Sequence, residues 1–214
     1  MKKSFAVFGL GRFGTSIANA LMAQGAQVLA IDSDPDVIKR ISPQVTCAVS
    51  IDVSDSEAVK EVGLDNIDVV IVAMGQSLAA SVMTIMTAKE LGVSYVIAKA
   101  DSDETAKIFL KVGADKVVFP EKDAGVLTAR KLMYDSFIEY LEIEDNLGVA
   151  EIMIKPEWVG KSIKELDLRK HYKINVIAVK NANQPAHEVN PEEILQANST
   201  LIIMVSDSSL KKLR

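Results

Sequence analysis

The stretch that most constrains this chain is its opening: Phe5-Ala6-Val7-Phe8-Gly9-Leu10-Gly11-Arg12-Phe13-Gly14-Thr15. An apolar run enters Gly9-x-Gly11-x-x-Gly14, and a helix-forming segment follows. That order is the dinucleotide-binding pattern. Gly9 permits the tight turn, Gly11 lets backbone N–H groups approach a diphosphate, and Gly14 lets the helix pack close to the strand. The diphosphate then sits at a helix N-terminus, where free N–H groups and the helix dipole favour negative charge. Glycine triplets alone also occur in ordinary turns. Here strand, loop and helix come in the right order, and Asp32 closes a second apolar strand at about the expected ~20-residue spacing.

Arg12 is the unusual member of the loop. A cation at a helix start opposes the dipole by about 0.3–1 kcal/mol. Arg12 either points into water, or a bound anion between it and the amides reverses that penalty. The second reading makes it a ligand for a terminal phosphate beyond the diphosphate.

The length, 214 residues, suggests one large domain or two small ones. Net charge is −5, which offers no electrostatic case for nucleic acid or an anionic membrane surface. Cys47 is the one cysteine, so an internal disulfide and a cysteine-rich metal site are excluded, as suits a reducing cytoplasm. Met1-Lys2-Lys3-Ser4 leads straight into a strand without the apolar core of a signal peptide. Residues 69–88 carry no charge and are long enough for a membrane span. Gly75, Gln76, Ser77, Ser81, Thr84 and Thr87 interrupt them, so they read instead as a buried strand, a turn and an uncharged helix.

Strands are expected at about 4–9, 27–32, 46–50, 68–74, 95–99 and 116–119, with a helix after each. Asp34-Pro35 reads as N-cap and first helical residue, and Ser54-x-x-Glu57 as a capping box. Strand–helix alternation predicts a doubly wound, Rossmann-type α/β parallel sheet of order 3-2-1-4-5-6. The ligand crevice then lies over the carboxyl ends of strands one and four. The helix at about 77–91 carries apolar residues round most of its circumference, which predicts burial on more than one side and points to a subunit interface. After Ser136 the texture changes. Strands at 137–144, 149–154, 175–179 and 200–205, a turn at Asn146-Leu147-Gly148 and a short helix at 161–168 describe a small α+β domain. A further short strand fits within 181–191. The expected domains are therefore 1–136 and 137–214.

Asp32 suits a ribose hydroxyl pair. With Ser33 next and no compensating Arg, an unphosphorylated ribose is favoured: NAD, ATP, ADP or AMP over NADP. Asp34 reads as a cap. Asp52 accepts from an adenine amino group or is a loop aspartate. Lys99 pairs with phosphate across the crevice or is a solvated strand-end lysine. Glu121 sits at a helix start, where the dipole alone explains it; a metal role needs phosphates nearby. The nucleotide-binding set is thus Gly9, Leu10, Gly11, Arg12, Phe13, Gly14, Asp32, Ser33, Asp52, Met74, Gly75, Lys99 and Glu121. No Ser-His-Asp order, supported carboxylate pair or metal-ligand spacing is present, and His171 and His187 read as surface residues of the second domain.

Gly9-Leu10-Gly11-Arg12-Phe13-Gly14, the Asp32 strand end, Pro120-Glu121-Lys122-Asp123 and the small C-terminal domain together resemble the RCK (KTN) family, the regulatory subunits of Ktr (Trk-type) potassium uptake systems. The resemblance covers essentially the whole chain. One departure is Ile51-Asp52, where the family usually has Gly-Asp. The resemblance implies a cytoplasmic homo-oligomer, dimers assembling into an octameric ring, held at the inner face of the membrane by an integral-membrane potassium transporter subunit. It implies ATP or ADP, and in some relatives NAD or NADH, with Arg12 on phosphates and Asp32 on ribose. Glu121 would hold a divalent cation, Mg²⁺ or Ca²⁺. It also implies cyclic di-AMP in the C-terminal domain, for which Arg169 and Asn175 are candidates. Two alternatives stand beside this gating subunit: a small NAD-dependent oxidoreductase, and a stand-alone nucleotide sensor with another partner.

Overall fold

The computed structural model describes residues 2–75, 77–133, 137–144 and 146–213. The chain divides into two units, Met1–Asp123 and Ala124–Arg214.

In the first unit, strands β1 (Ser4–Phe8), β2 (Gln27–Asp32), β3 (Cys47–Ser50), β4 (Val69–Val72), β5 (Tyr95–Lys99) and β6 (Lys116–Val118) form one sheet. Its order is β3-β2-β1-β4-β5-β6, all parallel, as the alternation predicts. The connecting helices are α1 (Arg12–Ala23), α2 (Pro35–Ile41), α3 (Ser56–Glu61), α4 (Leu78–Glu90) and α5 (Asp103–Lys111); α6 (Pro120–Met133) follows β6 and contains the boundary between the units. Alternation along β1 sends Ala6 and Phe8 into the core on one face of the sheet and Val7 into the core on the other. All four residues of β4 are buried, as a strand covered on both faces requires.

Local chemistry corrects some sequence expectations. The N-cap of α3 is Asp55, not Ser54: Asp55 Oδ1 accepts the Glu57 and Ala58 N–H groups at 3.0 and 3.4 Å. The Ser54 N–H is instead spent on Asp52 Oδ1 at 2.9 Å, so the turn precedes the cap. Within a single copy of the chain, α4 buries one face and leaves an apolar face exposed, where the sequence expects a subunit interface. Ala80, Ser81, Thr84, Ile85 and Ala88 face inward, while Leu78, Met83 and Met86 are 40–47% exposed. Apart from Ile85, the inward residues are small or carry hydroxyls, and Leu78, Met83 and Met86 lie outside.

In the second unit, β7 (Phe137–Glu144), β8 (Leu147–Met153), β9 (Asn175–Lys180), β10 (His187–Glu188) and β11 (Thr200–Ser206) form an antiparallel sheet of order β10-β9-β11-β8-β7. Trp158, Leu168, Ile174, Leu201 and Ile203 are among its core. The expected turn at 146–148 is shorter than read: Asn146 takes φ 67°, and β8 begins at Leu147. The expected helix at 161–168 is two, α7 (Ile163–Leu166) and α8 (Leu168–Tyr172), because Asp167 at φ 40° breaks the run. Ser162 and Glu165 close a capping box on α7. A short helix, α9 (Asp207–Leu210), follows β11. The sequence places the end of α6 at about Tyr134, which lies outside the described residues.

Candidate nucleotide site

The glycine loop is built from backbone contacts. Gly9 has φ 87° and donates its N–H to Ile31 O at 2.9 Å, which seats the loop on the end of β2. A Cβ at Gly9 would lie 2.7 Å from Met74 Cγ and 3.0 Å from Met74 N, so glycine is also needed for contact with the chain after β4. A Cβ at Gly14 would fall on the Gly9 carbonyl, so α1 packs against the loop only with glycine there. Gly11 is different. Nothing lies within 4 Å of its Cβ position, and its φ of −66° is open to any residue. The packing of the protein itself does not require glycine at this point. No side chain caps α1, and no acidic residue lies in its first turn. The N-terminal donors of α1 are thus not met by an internal carboxylate.

Around the loop, Leu10 is buried and Phe13 packs on the same core, so these two anchor it. The Leu10 N–H donates to Asp32 Oδ2 at 2.6 Å, and Thr15 Oγ1 donates to Leu10 O at 2.8 Å. Asp32 Oδ1 accepts the Asp34 N–H at 3.0 Å. Each oxygen of Asp32 keeps further acceptor capacity toward a ligand. Arg12, at the first position of α1, and Ser33, after β2, are exposed. Asp34 caps α2 through the Asp36 N–H at 2.8 Å. Asp52 is exposed and closes its own turn, its Oδ1 accepting the Ser54 N–H and its carbonyl the Asp55 N–H.

The remaining candidates meet at the ends of β4, β5 and β6. Met74, Gly75, Lys99 and Glu121 line a cavity of about 250 Å³. Lys99 Nζ donates to Glu121 Oε1 at 2.6 Å. That bond, with the Glu121 backbone amide, holds the Glu121 carboxyl below its ordinary range. Met74 belongs to both halves: it touches Gly9 and lines the cavity. The structure therefore brings Met74, Gly75, Lys99 and Glu121 together and ties Asp32 to Leu10, whereas Asp52 serves its own turn.

Sequence reasoning missed Asp101, Thr105 and Lys122, which also line the cavity. Thr105, with the neighbouring amides and Ser102, holds the Asp101 carboxyl below its ordinary range. Lys122 Nζ lies 5.1 Å from the centre of the Phe119 ring. The available signal was that residues just beyond a strand's carboxyl end share its crevice, so the β5 end extends to Asp101. Among the described residues no group of three or more His, Cys, Asp or Glu is placed to hold a metal by itself. Glu121 therefore fits a divalent cation only in the mode where one carboxylate and ligand phosphate oxygens share it.

In the second unit, Arg169 and Asn175 line one cavity of about 470 Å³ together with Ile163, Asp167, Leu168 and Pro191. His187 Nε2 lies 2.9 Å from Glu193 Oε2, and His171 is exposed.

The TrkA-N domain model matches residues 5–120, and the TrkA-C domain model matches residues 149–214. Ktr system potassium uptake protein C of Bacillus subtilis (strain 168) is 35% identical over 212 residues, 99% of this chain and 96% of that protein. Ktr system potassium uptake protein A of the same organism is 32% identical over 210 residues, 98% of this chain and 95% of that protein. Among solved structures, the GsuK RCK domain superposes with a TM-score of 0.67 at 18% identity, covering 100% of this chain and 47% of that chain. The GsuK channel bound to NAD gives 0.67 at 17%, covering 100% and 39%. At those identities the two structures share the fold. Among the described residues no helix is long and apolar enough to cross a membrane.

Proposed function

The chain belongs to the TrkA-N/TrkA-C family of Ktr potassium uptake proteins, and from that premise we propose that it is the regulatory, gating subunit of such a system. It binds an adenine nucleotide at the glycine loop and controls potassium flux through an integral-membrane partner. It works in the cytoplasm, attached to the inner face of the membrane by that partner.

The observation that carries this reading is Gly11. Gly9 and Gly14 are explained by packing; Gly11 is explained by a ligand that approaches its backbone. The uncapped α1 N-terminus suits the diphosphate, Asp32 the ribose, and Arg12 a terminal phosphate. Glu121 shares a Mg²⁺ or Ca²⁺ ion with the phosphates. ATP and ADP are the favoured ligands. NAD or NADH fits the same loop, and one neighbour of the same fold, a GsuK channel, is bound to NAD. Residues 1–136 carry this site, and residues 137–214 carry a second one, with cyclic di-AMP as the ligand proposed for the Arg169–Asn175 cavity.

Gating follows from differential binding: a nucleotide shifts an equilibrium between two shapes only by its difference in affinity for them. The exposed apolar face of α4 gives a second copy of the chain a surface, and dimers assembling into an octameric ring would couple many sites to one pore. No enzymatic step is assigned. The candidate cavity holds lysines and carboxylates but no histidine, and the named relatives are potassium uptake proteins.

A thermal-shift panel with ATP, ADP, AMP, NAD, NADH and cyclic di-AMP, with and without Mg²⁺, tests the assignment. A ligand that binds only the folded state raises its melting temperature by mass action. An adenine nucleotide should give the largest shift and a Gly11 variant should lose it. A panel without response, or reduction of a carbonyl substrate by NADH, would displace this reading; co-purification with a membrane potassium transporter identifies the partner.

A further inference from the structure

In the second unit a chain of side-chain bonds runs from the core to the surface through Glu193. Ser199 is buried, and its Oγ–H donates to Asn181 Oδ1 at 2.7 Å. Asn181 Nδ2 donates to Glu193 Oε1 at 3.2 Å. His187 Nε2 completes the chain, 3.1 Å from Glu193 Oε1 and 2.9 Å from Oε2. Glu193 is therefore fixed from the core side and turns both oxygens toward the imidazole. The His187 side chain is 40% exposed, so it exchanges protons with water, while that of Glu193 is 20% exposed.

The contact between His187 and Glu193 closes a loop. His187 stands opposite Val179 of β9, and the chain then passes through Val189 and Pro191 back to Glu193. Val189 and Pro191 line the cavity that also holds Arg169 and Asn175. Beyond the loop the backbone is tied down: the Lys164 N–H donates to Pro191 O at 2.9 Å and the Leu195 N–H to Lys161 O at 3.0 Å. Residues 187–193 thus form a strap along one wall of the cavity, and His187 with Glu193 joins its two ends through side chains.

Other charged groups near the strap have partners of their own or lie apart. Lys180, next to Val179 on β9, donates to Glu151 Oε1 at 3.3 Å. Lys164 Nζ donates to Glu192 Oε1 at 2.6 Å. Glu188 follows His187 on β10, where side chains alternate between the two faces. The other histidine, His171, lies on α8 with Arg169. Imidazole is the side chain that ordinarily titrates between pH 5 and 8, where carboxylates ordinarily stay ionised. Neutral His187 with its proton on Nε2 gives Glu193 one hydrogen bond; the imidazolium adds an opposite charge to that bond.

We propose that His187 and Glu193 are positioning residues that clasp the 187–193 strap against the second cavity, and that the clasp tightens when His187 is protonated. Ligand binding in that cavity then strengthens as pH falls from about 8 to about 6. Only the choice of ligand rests on the second-site reading above.

Two measurements on the intact chain test this, with wild type, His187→Gln, Glu193→Gln and His171→Gln, each checked for folding by a thermal melt. The first is hydrogen exchange of the strap amides without ligand, corrected for the intrinsic effect of pH. Wild type and His171→Gln should be better protected at about pH 6 than at about pH 8, by about threefold, the scale of a partly exposed ion pair. His187→Gln and Glu193→Gln should show no such gain. The second is calorimetric titration with cyclic di-AMP at both pH values, in which affinity should follow the same pattern. A pH response that survives in Glu193→Gln comes from the histidine's general field and overturns the clasp, as does strap protection that is the same in all four proteins. A wild type that binds no cyclic di-AMP at either pH brings down the ligand reading, and the exchange pattern alone then decides the clasp.

Discussion

Asp32 Oδ2 accepts the Leu10 N–H at 2.6 Å, so the end of β2 grips the glycine loop through the carboxylate assigned to the ribose. The proposed function thus gives one side chain two duties. Oδ1 adds the Asp34 N–H at 3.0 Å, where the chain turns into α2. Asp32→Ala should lower nucleotide affinity by at least about tenfold. It should also cost about 1–3 kcal/mol of stability, because the amides of Leu10 and Asp34 lose a charged acceptor. Calorimetry and a urea melt on the same protein separate the two effects. If stability falls but affinity holds, the carboxylate is an anchor only.

Gly11 and Gly14 make a sharper pair. Gly14→Ala places a methyl group on the Gly9 carbonyl, so the loop or α1 must move. Its cost belongs in the severe class for single substitutions, above about 4 kcal/mol. Gly11→Ala meets nothing within 4 Å and should leave the melting temperature within about 2 °C of wild type. It should nevertheless abolish most nucleotide binding. Undiminished ATP and ADP affinity in folded Gly11→Ala would remove the main support for the site.

Asp115 tests how the sheet is held together. Its Oδ2 accepts both Lys89 Nζ and the Val96 N–H at 2.7 Å, which ties α4 to the starts of β5 and β6. Burial pushes this carboxyl up, but the Lys89 bond, the Val96 N–H and the lysine's charge together hold it below its ordinary 3.8. A carboxyl lowered in the folded state contributes stability above its unfolded value and loses that contribution as pH falls through the folded value. Wild-type stability should therefore decline as pH drops below about 4. Asp115→Asn should be weaker by about 1–2 kcal/mol at neutral pH and decline less on acidification. Denaturant melts from pH 7 to pH 3 show this as converging curves; parallel curves would mean that Asp115 is not part of the acid limb.

These residues also show which parts of the site can be read from sequence. The glycine loop and Asp32 lie within one strand–loop–helix–strand stretch, where spacing alone brings them together. The order of the sheet follows from strand–helix alternation and the handedness of crossovers. The cavity is harder, because Gly75, Lys99, Asp101, Thr105 and Glu121 come from three separate strand ends and meet only when the sheet is assembled. Asp101 reads as part of an ordinary loop until Thr105, one turn into α5, is folded against it. The α3 cap illustrates a local limit: Ser54 and Asp55 both suit an N-cap, and the tie is broken by Asp52, which takes the Ser54 N–H. For α4, apolar content shows how much surface can be buried, and the assembled sheet shows which side one copy of the chain covers.

Arg12 carries the question of what the site distinguishes. It is exposed at the first position of α1, where its charge opposes the dipole and no acid in the first turn offsets it. ATP and ADP differ by one phosphate, so the two can favour different shapes only through contacts to that phosphate. Moving an assembly from 1:99 to 99:1 requires about 10⁴-fold tighter binding to one shape, about 5.5 kcal/mol, which several equivalent sites can share. A charged hydrogen bond from Arg12 to that phosphate would supply about 1.5–3 kcal/mol of interaction, enough for each of a few sites. Arg12→Ala should therefore weaken ATP by at least about tenfold and ADP by clearly less, bringing the two affinities together. Because Arg12 is exposed, the urea midpoint should stay near that of wild type. Calorimetric titrations of both nucleotides into both proteins decide the point. If wild type already binds ATP and ADP equally and Arg12→Ala does the same, the arginine does not read the terminal phosphate.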